Sequence, residues 1–133
     1  DAIKILKGNA SHPIDNVKEI ISVDELIDFR KKSNDLYVHD EIYEYIVNIV
    51  ENTRINKNFS MGASPRGTIA LLRMAKAMAV LEDREYVTAK DVQAVAKDTL
   101  GHRVKLSTRS KASGINMEQA IRLLLNGIPA PRN

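Results

Sequence analysis

The sequence contains no cysteine and no tryptophan. Without cysteine there is no disulfide framework and no thiolate chemistry, which fits a reducing, cytoplasmic setting. No apolar run approaches the roughly 20 residues of a membrane-spanning helix, and no secretory leader is evident, so no membrane partner is expected. Neither sign of charge dominates: 20 Lys+Arg stand against 17 Asp+Glu, a formal net charge of +3. That excess is too small to imply a nucleic-acid partner by itself. Period-two alternation is almost absent, which disfavours an extended sheet. No internal repeat and no metal-ligand spacing are found. His12, His39 and His102 lie far apart, outside any H-E-x-x-H pattern, and read as surface or capping residues, with no metal site expected. No Ser/His/Asp arrangement stands out. The acids in "LYVHDE" fall where they favour a helix start, not at the end of a catalytic strand.

What remains is a soluble, globular composition: 133 residues, 44% hydrophobic and 28% charged, enough for one domain with one core. The chain opens at Asp1, without an initiator methionine, in the helical-looking segment "DAIKILKG". A fragment of a longer protein is the corresponding expectation. Pro13 disfavours helix at His12, so "NASHPIDNVKEI" reads as loop. Ser22 and Glu25 form a capping box at the head of a helix running to Ser33 or Asn34. Ile42, Ile46, Ile49 and Val50 make the apolar stripe of a second helix that starts near Asp40. "NTRINKNFSM" reads as a polar loop. Ser64 and Pro65 suit the N-cap and first position of a third helix. From Thr68 to Leu81 that helix is so apolar that it should lie at the centre of a bundle, burying Ile69, Leu72, Ala75, Met78 and Ala79. Thr88 and Asp91 cap a fourth helix carrying Val92, Val95, Ala96 and Leu100. Asn116 caps a short last helix with Ile121, Leu124 and Leu125.

The expected fold class is therefore all-α, a bundle of about four main helices with short flanking ones. Its parts are a linker and preceding helix end over 1–22, the bundle over 23–104, a flexible basic segment over 105–116, and a C-terminal helix and tail over 117–133.

The segment "MGASPRGTIALLR" holds Gly62, Gly67 and Thr68 in near-P-loop spacing. A P-loop requires a preceding buried strand, free backbone N–H groups and a lysine. Here "INKNFSM" is a poor strand, Pro65 has no N–H, and Thr68 occupies the lysine position. The segment is a helix start instead, but Arg66 is out of place there. The helix dipole disfavours a cation in the first turn. An anion reached jointly by the guanidinium and the helix start accounts for it; a solvated arginine or a local ion pair is the plainer alternative.

"GASPRGTIALLRMAKAMAVLEDREYVTAKDVQAVAKDTLGHRV" resembles the lid-domain signature of the MoxR family of AAA+ ATPases, in the Gly-Ala-Ser-Pro-Arg turn, the Tyr-Val-Thr helix start and the His-Arg pair. "IISVDEL", "VHDEIYEYIVNIVENTR" and "IPAPRN" extend the resemblance to essentially the whole chain. The resemblance implies that Arg66 is the sensor 2 residue, reaching the γ-phosphate of ATP. It implies that Ser64, Pro65, Arg66 and Gly67 contribute to nucleotide binding. The parent would use ATP and Mg²⁺ and hydrolyse ATP, while this segment alone would hold neither and be inactive. Partners would be an AAA+ base domain, further copies in a homo-oligomeric ring, and a client protein in chaperone-like remodelling. Four positions depart from the family pattern: Gly67, Asp83, Ala89 and Gly101. Gly67 should loosen the first turn, and Asp83 should tolerate a left-handed turn. Two other readings stand beside this one. The basic residues His102, Arg103, Lys105, Arg109 and Lys111 suit a nucleic-acid-binding domain, although without interleaved aromatics; a protein-interaction bundle is the other.

Overall fold

Three helices begin where the sequence supplies reciprocal caps. The computed structural model describes residues 2–8 and 13–132. Helix α1 covers Ala2–Gly8, a 3-10 turn covers Pro13–Asn16, and α2 covers Val23–Asp35. Ser22 accepts from the Glu25 N–H while Glu25 accepts from the Ser22 N–H, closing the box at α2. Helix α3 spans Asp40–Ile55, and its N-cap is His39, whose ring nitrogen accepts from the Glu41 N–H. The expected stripe Ile42, Ile46, Ile49 and Val50 is buried as one face.

Strand β1 (Phe59–Met61) leads into α4 (Pro65–Leu81), and α5 (Ala89–Leu100) follows. After β2 (Lys105–Leu106) come α6 (Thr108–Ala112) and α7 (Met117–Asn126). Among the described residues the fold is all-α apart from this two-stranded ribbon and an isolated bridge between Tyr37 and Tyr86. Helix α4 packs on α2, α3 and α5, so its central place is as expected. The buried face differs. Gly67, Leu71, Ala75 and Ala79 point inward, whereas Ile69 is 54% exposed and Leu72 and Met78 are only half-buried. The i, i+4 row of small residues lets α5 approach closely, and Val92, Ala96 and Leu100 fill the contact from the other side. Helix α7 closes the core with Ala120, Ile121 and Leu124, and Leu125 packs at its edge.

Two expectations about loops are corrected. "NTRINKNFSM" is not all loop: Asn52–Ile55 completes α3, and Phe59–Met61 pairs antiparallel with Lys105–Leu106. The basic segment 105–116 is not a free tether. Its strand and helix α6 are anchored by the Ser107 N–H to the Asn58 carbonyl at 2.8 Å and by the Ser110 hydroxyl to the Asn58 side chain at 3.0 Å. Ser110 is buried. Those bonds cross about 50 residues of sequence, which no local pattern announces.

Between α4 and α5 the chain turns through Asp83, whose φ of 54° is left-handed, as an aspartate tolerates. Arg84 then reaches back to α5 and forms a two-point pair with Asp91, with one contact at 2.8 Å. Asp91 also accepts from the Thr88 N–H at 2.7 Å and the Thr88 hydroxyl at 2.9 Å. Burial pushes the Asp91 carboxyl up. The Arg84 and Thr88 hydrogen bonds outweigh it and hold the carboxyl below its ordinary value.

Candidate functional site

Residues 62–67 cross from β1 to α4 and hold the candidate site. Gly62 lies against the backbone of α3. A Cβ there would stand 2.6 Å from the Arg54 Cα and Cγ, so only glycine permits the approach. Ala63 is 1% exposed, and both polar groups of its main chain are engaged by α3. Its N–H donates to the Thr53 hydroxyl oxygen at 2.9 Å, and its carbonyl accepts from Arg54 Nε at 2.9 Å.

Ser64 then occupies the N-cap of α4 in extended conformation (φ −77°, ψ 168°), and Pro65 takes the first helical position. The N-cap placement was legible in the sequence, but the capping bond is not made: the Ser64 side chain accepts nothing from the helix. Its carbonyl accepts from the Gly67 N–H at 2.8 Å. Gly67 is buried, with the Arg103 side chain and Leu100 beside it. Arg103 Nε is itself tied to the Thr99 carbonyl at 3.0 Å.

Arg66 is exposed. Neither its N–H nor its guanidinium has an acceptor or an acidic partner among the described residues. The local ion pair that would explain a cation in the first turn is not formed among the described residues. Among the described residues the turn therefore presents an unpaired guanidinium, an unpaired N–H and an unpaired serine hydroxyl at the positive end of a 17-residue helix. All are donors suited to anionic oxygens. Ser64, Arg66 and the turn between them sit together; Pro65 shapes the turn without donating, and Gly67 serves packing. Thr53 and Arg54, which hold the turn, were not picked out from the sequence, because each lies about ten residues from its partner.

The profile of the AAA lid domain family matches residues 51–122, more than half of the chain. The chain belongs to that family. The match begins inside α3 and ends in α7, and so contains β1, the whole 62–67 turn and α4. YeaC of Bacillus subtilis (strain 168), an uncharacterized protein, is 37% identical over 121 residues, which is 91% of this chain and 38% of YeaC. Chaperone MoxR1 of Mycobacterium tuberculosis is 29% identical over 124 residues, covering 86% of this lid domain and 33% of MoxR1. A crystal structure of a protein from Cytophaga hutchinsonii, described as a "putative ATPase", superposes with a TM-score of 0.77 at 28% identity. It covers 98% of this chain and 43% of that one. The protein is a lid domain of the MoxR type, and it spans about a third of the length of the curated relatives it matches. Among the described residues no helix is long and apolar enough to cross a membrane.

Proposed function

We propose that this lid is the sensor 2 module of a MoxR-like AAA+ ATPase and that Arg66 meets the γ-phosphate of ATP held by the rest of the parent protein. The observation that carries the reading is the exposed Arg66, which has no partner among the described residues, in the first turn of α4. A cation there is unfavourable against the helix dipole unless an anion joins it. The guanidinium stabilises negative charge on the transferring phosphoryl oxygens, and its attachment to α4 links nucleotide state to the angle of the lid. Ser64 and the Arg66 N–H add donors on the same side. The 62–67 turn carries no carboxylate, so Mg²⁺ belongs with the parent's other residues. Likeness to a protein described as a chaperone supports a remodelling role for the parent, working as a homo-oligomeric ring in the cytoplasm on a client protein.

The test is steady-state turnover of the full-length parent at saturating ATP. Arg66→Ala leaves the helical circular dichroism unchanged, because the residue is exposed, and lowers turnover by roughly 10²–10³-fold. Arg66→Lys recovers only part of the rate, since an ammonium lacks the planar fork. Parental turnover by Arg66→Ala disproves the sensor role.

A further inference from the structure

The sensor arginine needs a fixed base, and the usual device is missing: the N-cap serine of α4 makes no side-chain bond to its own helix. What holds the turn comes from α3. Two consecutive residues grip the two ends of one residue's backbone. Thr53 accepts from the Ala63 N–H at 2.9 Å, and Arg54 Nε donates to the Ala63 carbonyl at 2.9 Å. The Thr53 hydroxyl is aimed by a second bond, donated to the Val50 carbonyl at 2.6 Å, which leaves its lone pairs to the Ala63 N–H. Thr53 is wholly buried. Arg54 is exposed, so its removal opens no cavity. Gly62 lets the chain lie directly on the Arg54 backbone, and Ala63 abuts Gly67, where a Cβ would stand 3.1 Å from the Ala63 Cβ. Arg66 follows Ala63 by three residues, less than one helical turn.

We propose that Thr53 and Arg54 are positioning residues for Arg66: the clamp on Ala63 fixes the start of α4 against α3 and so sets where the guanidinium stands. This rests on the sensor reading above. The clamp acts through Arg66 and touches no nucleotide atom. Loss of either grip lets the turn shift, and a misplacement on the order of 1 Å at a charge-stabilising group slows chemistry without abolishing it.

The experiment uses the full-length parent. Thr53→Val, Thr53→Ser and Arg54→Met are each made alone and in the Arg66→Ala background, and hydrolysis is followed in single turnover so that slow variants are readable. Thr53→Val and Arg54→Met slow the parent by roughly 5–50-fold, less than the loss of the guanidinium itself. Thr53→Ser, which keeps the hydroxyl, recovers most of that rate. In the Arg66→Ala background neither Thr53→Val nor Arg54→Met slows hydrolysis further by more than about twofold, because residues acting through one group are not additive. A merely structural role gives the same slowing in both backgrounds and overturns the clamp. Parental rates for Thr53→Val and Arg54→Met overturn it as well, while a slow Arg66→Ala leaves the sensor reading intact. Parental turnover by Arg66→Ala alone sinks both. Should Thr53→Val fail to fold, the Arg54→Met cycle, made at an exposed residue, decides.

Discussion

Asp91→Asn tests the pair that ties the α4–α5 turn to the head of α5. Asp91 is 3% exposed and accepts from both terminal nitrogens of Arg84, from the Thr88 N–H and from the Thr88 hydroxyl. Asparagine keeps the shape and one oxygen for Thr88, but it cannot accept both guanidinium contacts. Hydrogen bonds to charged groups contribute about 1.5–3 kcal/mol. The Arg84 side chain is 27% exposed, so water recovers part of its solvation in the variant. The expected loss at pH 7 is therefore in the lower half of that range, about 2 kcal/mol. Urea unfolding at an unchanged slope reads it directly. The pH dependence gives a second reading. Because the folded carboxyl sits below its ordinary value, the unfolded chain takes up the proton first as pH falls. The stabilisation is whole above about pH 5 and is lost as pH drops through about 4 towards the folded value. The difference between parent and Asp91→Asn must shrink over that window. A loss under about 0.5 kcal/mol at pH 7, within the range of ordinary surface changes, refutes the argument. So does a difference that is the same at pH 3 as at pH 7.

Leu71→Ala removes a side chain that is 0% exposed in the middle of α4, and should destabilise by about 2–5 kcal/mol in chemical denaturation. Ile69→Ser, on the outward face, should change stability by less than about 1 kcal/mol; equal losses at the two sites would show that the face is misassigned. Gly62→Ala forces a Cβ to within 2.6 Å of the Arg54 backbone, and a shift costing about 1–3 kcal/mol should appear as a lowered melting temperature. An unchanged melting temperature would show that the close approach is not required.

Much of the fold was legible because its signals are local. The boxes at Ser22/Glu25 and Thr88/Asp91 each lie within one helical turn, and the structure closes both. The α3 stripe was equally plain, since polar residues flank it. Helix α4 misled for the opposite reason: with Ile69, Leu71, Leu72, Met74 and Met78 all apolar, composition does not say which row turns inward. The answer came from small residues, Gly67, Ala75 and Ala79, which permit close packing. The ribbon was invisible because strands of three and two residues have no period to read. In the candidate site, Arg66 stood out in the sequence as a cation where the helix dipole disfavours one. The residues that hold its turn did not, because a threonine and an arginine at a helix end are ordinary until their distant partner is known.

Helix α2 buries none of its residues. It leans on α4, with Lys76 Nζ donating to the Asn34 carbonyl at 2.8 Å, an exposed bond that water can replace. The α3–α4–α5 core, in contrast, holds side chains at 0% exposure on all three helices. Free energies of local opening follow such differences in burial. Helix α2 is thus a peelable layer, able to lift away at small expense while the inner three helices stay closed. Its amides should exchange with solvent before those of the inner three helices.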